Sequence, residues 1–265
     1  MPKILWFIAL CFILPSCNSE RAGEGEATAK EWIALFNGKN LDGWTPKFAG
    51  HDLNENFKNT FRVENGMLKV SYEEYEKFDG EFGHLFYKDK FSHYKIRVEY
   101  RFVGEQVDGG PDWALFNNGI MLHCQSPESM AKDQNFPVSI EAQLLGDDGS
   151  GKRTCGNICT PGTNIVMNGE LITEHCIATS PKALPPHEWA TMEVEVRGND
   201  SIKHILNGEV VAEYEKPQLD ESDSDAQKLI VGGNKMLHEG YISLQAETHS
   251  IEFRKVELLV LDDES

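Results

Sequence analysis

The chain has 265 residues, 25 Lys and Arg against 43 Asp and Glu, a formal net charge of −18 and 40% hydrophobic content. These are the proportions of a folded globular chain and exclude wholesale disorder. The negative excess excludes a nucleic-acid backbone or an anionic membrane surface as the main partner, and leaves neutral ligands, cations and sugars.

At the N-terminus, Lys3 precedes an apolar run from Ile4 to Leu14. The run is too short to span a bilayer as a permanent helix and has the form of a secretory signal. It ends in Leu14-Pro15-Ser16-Cys17, which resembles a bacterial lipobox. Residues 1–16 are therefore read as a lipoprotein signal peptide and Cys17 as the lipidated residue. Several acyl chains on one cysteine anchor firmly where a single chain would not. The expected location is the cell envelope, periplasmic or on the outer-membrane surface, with the lipid anchor as the only membrane contact. Residues 17–29, rich in Gly, Glu, Ala and Ser, are read as a flexible tether. The remainder, 30–265, is read as a single domain.

Within that domain the period is two. Phe61–Glu64 and Met67–Val70 flank Asn65-Gly66, as a two-residue hairpin requires. Tyr94 to Phe102 alternates cleanly, as do Met192 to Arg197, Ile202 to Leu206, Tyr241 to Glu247 and Ile251 to Leu261. Loops rich in Asp and Gly are expected at 104–112, 146–151 and 217–234, and Ser126 to Lys132 can hold a short turn or two. No long amphipathic helical pattern occurs. Many short strands at this spacing indicate an all-β sandwich.

Four cysteines remain after the signal and lipobox: Cys124, Cys155, Cys159 and Cys176. In an oxidising compartment they allow three full pairings. Asn168-Gly169 lies between Asn164–Met167 and Glu170–Thr173, a hairpin whose extension brings Cys159 and Cys176 to nearly facing positions. That pair is the expected disulfide. Cys124 is read as a small buried side chain, and a zinc site is disfavoured because no CxxC pair exists.

Strand alternation gives one side chain to the core and the next to the opposite face. With Ile140, Ala142 and Leu144 inward, Glu141 and Gln143 face out. With Ile242, Leu244 and Ala246 inward, Ser243, Gln245 and Glu247 face out, and His249 follows at a turn. With Ile120, Leu122 and Cys124 inward, Met121, His123 and Gln125 face out. Such groups grip hydroxyls and exchange protons, whereas a plain solvated face more often carries Lys, Thr, Ser and Arg. Trp113, in Gly109-Gly110-Pro111-Asp112-Trp113, is a candidate sugar-stacking side chain. The acidic stretch 220–225 lacks the glycine and terminal Glu of a calcium loop. No nucleophile elbow, phosphate loop or HExxH is present.

Trp32-Ile33-Ala34-Leu35-Phe36-Asn37-Gly38-Lys39-Asn40-Leu41-Asp42-Gly43-Trp44 resembles the opening motif of the 3-keto-disaccharide hydrolase domain family, formerly a domain of unknown function. The similarity continues through Asn118-Gly119-Ile120-Met121-Leu122-His123, Ile140-Glu141-Ala142-Gln143-Leu144-Leu145, Glu188-Trp189 and His204-Ile205-Leu206-Asn207-Gly208. It ends in the run from Gly240 to Val256. The resemblance implies a concanavalin-like jelly-roll sandwich of two curved antiparallel sheets, with a ligand cleft on the concave face. It also implies a carbohydrate substrate already oxidised to a ketone at sugar carbon 3.

A carbonyl at C3 acidifies the hydrogen on C2. A base removes that proton, the C1 substituent departs by elimination, and water adds to the enone, a path that avoids the oxocarbenium ion of ordinary glycosidases. Glu141 or Glu247 is the candidate base. His123 and His249 are candidates to polarise the carbonyl, protonate the leaving group or hold a divalent cation. Gln143, Gln245 and Asn118 are candidates to bind hydroxyls. Two other readings compete: a conventional glycoside hydrolase using Glu141 and Glu247, and a non-catalytic carbohydrate-binding lipoprotein.

Overall fold

The computed structural model describes Met1, Lys3 and residues 30–262. Cys17, the 17–29 tether and nearly all of the expected signal segment lie outside the described residues. In chain order the strands are β1 (Ile33–Ala34), β2 (Trp44–Phe48), β3 (Phe61–Glu64), β4 (Met67–Val70), β5 (Gly83–Tyr87) and β6 (His93–Gln106). They continue as β7 (Asn117–Cys124), β8 (Ile140–Leu145), β9 (Asn157–Cys159), β10 (Thr163–Met167), β11 (Glu170–Ile172) and β12 (Cys176–Ile177). The last five are β13 (Ala190–Arg197), β14 (Ser201–Leu206), β15 (Glu209–Leu219), β16 (Tyr241–Ala246) and β17 (His249–Val260). One helical turn, α1 (Ser224–Gln227), interrupts the expected 217–234 loop, with the Asp223 side chain capping its first amides.

Two antiparallel sheets result. One has seven strands in the order β12-β9-β8-β7-β16-β5-β2; the other runs β11-β10-β15-β14-β13-β6-β17-β4-β3, with β1 also on β17. The all-β jelly-roll expectation is borne out. Leu85, Ile120, Leu122, Ile140, Leu144, Ile242 and Leu244 of the first sheet join Ile96, Val98, Phe102, Val194, Ile202, Phe253 and Val256 of the second in one buried core. Each of these is an inward position of an alternating strand. The hairpins β3–β4, β10–β11 and β14–β15 turn on Asn65-Gly66, Asn168-Gly169 and Asn207-Gly208, with positive φ at both residues of each pair. Asn and Gly tolerate that conformation, and the resulting turn matches the strands' twist. Asn118-Gly119, by contrast, lies inside β7 and makes no turn.

The expected disulfide is present: Cys159 bonds Cys176, and the two residues face each other where β9 and β12 pair. The hairpin that suggested it does not run on as one ladder. β10 and β11 belong to the ten-stranded sheet while β9 and β12 belong to the seven-stranded one, so both arms change sheets between Thr160–Gly162 and Thr173–His175. The outer face of the ten-stranded sheet is a lattice of ion pairs. Arg97 meets Glu193 and Glu257, Arg101 meets Glu252, and Glu99 meets Arg254 and Lys255.

Candidate active site

The outer face of the seven-stranded sheet is chemically different. Register places Lys47, His84, Gln245, Gly119, Gln143 and Asn157 in one row across β2, β5, β16, β7, β8 and β9, Gln245 reaching Gly119 one step beyond the Leu244–Ile120 pair. Glu141 lies one row away, between Met121 and Cys159. Its carboxyl folds back over Gly119: a Cβ built on that glycine would stand 2.3 Å from Glu141 Oε1. Only glycine leaves room there. Glu247 follows the end of β16, where the chain crosses to the other sheet through Thr248, whose amide donates to Tyr72 Oη at 2.7 Å.

Both carboxyl groups line one cavity of about 500 Å³, with Gln143, Asn117, Leu145, Trp113, Phe136, Arg153, His175 and the Cys159–Cys176 bridge. Glu141 is 6% exposed and Glu247 4%. Oε1 of the first and Oε2 of the second have no hydrogen-bond partner among the described residues. Burial raises the pKa of both, and the neighbouring Glu141 charge pushes Glu247 up further. Both carboxyls are therefore held toward the protonated form, and the charge of either one disfavours ionisation of the other. Arg153 supplies no free countercharge, because its guanidinium is held by the Leu115 carbonyl and by Asp148 at 3.1 Å. Asn157 donates to Gln143 Oε1 at 2.9 Å, which fixes the Gln143 amide, and Asn117 Oδ1 has no partner among the described residues. Trp113, half exposed at the rim, stacks on Phe82 with centroids 5.8 Å apart, and Phe82 lies 5.0 Å from Phe136.

Of the predicted residues, Glu141, Glu247, Gln143 and Trp113 meet in this cavity, and Gln245 lies on the same face beneath it. Three others are corrected. Asn118 shares the inward parity of Ile120 and Leu122; its amide donates to the Gln245 backbone carbonyl at 2.7 Å, and Asn117 takes the pocket position. His123 sits on a β-bulge with φ +50, where β7 carries an extra residue against β16. The bulge turns its ring to the Gly198 carbonyl, 2.9 Å away, and puts Cys124 on the outer face with Phe86, Met121 and Met130. His249 is not at a turn but opens β17 in the other sheet, packed on Phe116 at 4.3 Å and Phe102 at 5.7 Å. Neither histidine lines the cavity. Phe136, Arg153 and His175 come from loops, where strand parity gives no signal.

The fold matches solved structures at low identity. A Parabacteroides distasonis protein assigned provisionally as a glycosyl hydrolase is 18% identical, with a TM-score of 0.53 over 87% of this chain and 100% of that one. A second from the same organism, also assigned provisionally as a glycosyl hydrolase, is 20% identical, with a TM-score of 0.52 over 87% and 94%. A Bacillus subtilis protein of unknown function with a galectin-like fold is 11% identical, with a TM-score of 0.53 over 88% and 96%. At these identities the likeness concerns the fold alone. Comparison with curated protein sequences gives no match. A family model matches residues 31–259, nearly the whole described domain, and the chain belongs to the 3-keto-alpha-glucoside-1,2-lyase-like domain family.

Proposed function

We propose that the chain cleaves 3-keto-glycosides in the cavity between Glu141 and Glu247. Family membership supports a carbohydrate-active role, and one observation supports the chemistry: two partly unpartnered carboxyl groups, buried in one cavity, both held toward the protonated form. The ionised member takes the C2 proton. The electron pair moves into the C2–C3 bond and the C3 oxygen gains enolate charge; as the C3 carbonyl re-forms, the pair shifts to make a C1–C2 double bond, and the C1 oxygen leaves with the proton of the other carboxyl. Water then adds at C1 while a proton returns to C2. Raised carboxyl pKa values suit both roles near neutral pH. Trp113 offers an apolar face to the sugar ring, and Gln143 and Asn117 offer hydroxyl partners. Among the described residues no group of three or more His, Cys, Asp or Glu is arranged to hold a metal.

Matched native and 3-keto glucosides, incubated with purified protein with and without chelator, test the reaction class. Release from the oxidised substrate alone, with Glu141→Gln and Glu247→Gln each at least a hundredfold slower, is expected. Equal cleavage of the native glucoside would favour a conventional glycoside hydrolase, which the paired carboxyls also suit. Envelope anchoring through Cys17 belongs to the same proposal. Palmitate labelling that disappears in Cys17→Ser tests it.

A further inference from the structure

Two members of the polar row described above have no structural explanation. His84 and Gln245 are fully buried and face each other across β5 and β16. Neither ring nitrogen of His84 and neither amide atom of Gln245 has a hydrogen-bond partner among the described residues. A buried polar group without a partner is destabilising, and a sheet position that needed only filling would carry an apolar side chain. Phe136 stands beside His84: its ring is nearly perpendicular to the imidazole at 5.8 Å and forms part of the cavity wall. The Phe136 carbonyl accepts from Gln134 Nε2 at 2.8 Å.

We infer that His84 and Gln245 are the oxygen-binding floor of the cavity, uncovered when Phe136 turns aside, with the His84 N–H donating to the sugar's C3 oxygen as it gains enolate charge. This rests on the 3-keto reading above. Burial and the neighbouring Lys47 ammonium hold the His84 pKa down to about 3, so the ring is neutral and offers one donor and one acceptor. Lys47 itself is fixed by the Phe48, His51 and Lys132 carbonyls. A neutral imidazole is a suitable electrophile for an enolising carbonyl, because it stabilises the oxygen's charge without surrendering its proton. Gln245 and Gly119 separate His84 from the Glu141 carboxyl. The Glu141 carboxyl stands over Gly119, two strand spacings from His84, or about 10 Å between backbones at about 4.8 Å per strand. In the step itself Glu takes hydrogen from C2, the electron pair forms the C2–C3 double bond, and the C3 oxygen takes the charge that His84 receives by hydrogen bond; His84 neither gains nor loses a proton.

His84→Phe and His84→Gln test this beside the parent. Turnover of a 3-keto-glucoside is expected to fall a hundredfold or more with KM changed less than threefold, the loss typical of one missing oxyanion donor. The thermal midpoint should stay or rise, where a structural histidine would lower it. In the parent, the 15N signals of the His84 ring should shift on saturation with a 3-keto C-glucoside, which has no departing oxygen, and shift less with its unoxidised counterpart. Turnover within threefold of the parent in either variant, or ring signals unmoved by the bound keto ligand, overturns the inference. If the parent cleaves no 3-keto-glucoside, the reaction reading fails, and the His84 signal alone upholds or overturns the floor.

Discussion

Glu141→Gln should stabilise the fold while removing the activity. The carboxyl is buried, its Oε1 has no partner to lose, and burial lifts its pKa from 4.5 to about 8. In the unfolded chain the group ionises near its ordinary value. Below about pH 4 both states hold the proton and the shift has no effect on stability. As pH rises past 4.5 the unfolded chain releases its proton first and is favoured; the loss grows until pH passes the folded value. At pH 7 the folded state keeps a proton roughly two and a half pH units above the unfolded value, a penalty of about 3 kcal/mol at 1.36 kcal/mol per unit. Glutamine has nearly the same shape and no proton to hold. Residual structure in the unfolded chain and coupling to Glu247 reduce the gain, so about 1–3 kcal/mol is expected, or about 3–10 °C in thermal midpoint for a domain this size. Urea unfolding of parent and variant from pH 4 to pH 8 reads it directly. An advantage that is absent at pH 7, or that does not shrink toward pH 4, would refute the claim that this carboxyl is held against its ionisation.

Gly119→Ala should cost about 1–3 kcal/mol, because the methyl would stand 2.5 Å from Glu141 Cγ and 2.3 Å from its Oε1, and that buried side chain must move. Displacing that carboxyl should still lower turnover tenfold or more, and parent-like kinetics would mean that Glu141 acts from elsewhere. Trp113→Ala removes an exposed ring stacked on Phe82. It should raise KM about three- to tenfold with kcat nearly kept, and an unchanged KM would take the ring out of sugar binding. Opening the Cys159–Cys176 bridge, whose partners are 17 residues apart, by Cys176→Ala should cost about 3 kcal/mol in urea unfolding and loosen the wall beside Glu141. A parent-like midpoint under oxidising conditions would mean that β9 and β12 hold their pairing alone.

Alternation made much of this legible in the sequence. Ile140-Glu141-Ala142-Gln143 and Ile242 to Glu247 each repeat with period two across a regular strand, and both carboxyls fall where that parity sends them. The same parity sends Asn117, not Asn118, to the cavity, so that residue was readable and the motif misled. His123 was not readable: a bulge adds one residue to β7 and inverts every facing after it, and no residue type in Leu122-His123-Cys124 announces one. His249 fails for another reason, since the change of sheet at Glu247–Thr248 depends on which strand β17 finds as partner, a long-range choice. Phe136, Arg153 and His175 reach the cavity from loops, where position follows tertiary packing and no period exists. His84 sits in Gly83–Tyr87, a strand buried at every position, so its outward facing gives no contrast in burial.

The two outer faces of the sandwich show that the unpaired carboxyls are no accident of composition. On the ten-stranded sheet, Arg97, Arg101, Arg254, Lys95 and Lys255 each stand against a glutamate, and these groups are only partly buried. Such pairs add little individually, but they show that the chain places cations beside carboxylates where it only needs a soluble surface. On the seven-stranded sheet the arrangement reverses. The carboxyls are nearly sealed from water, Arg153 is tied to a carbonyl and to Asp148, and the Lys47 ammonium is spent on three carbonyls. A cation brought to Glu141 or Glu247 would stabilise the ionised form and weaken it as a base near neutral pH. Keeping the available charges turned away leaves both carboxyls favouring the protonated form, at the expense of fold stability. That is the balance which Glu141→Gln, more stable and inactive, should expose.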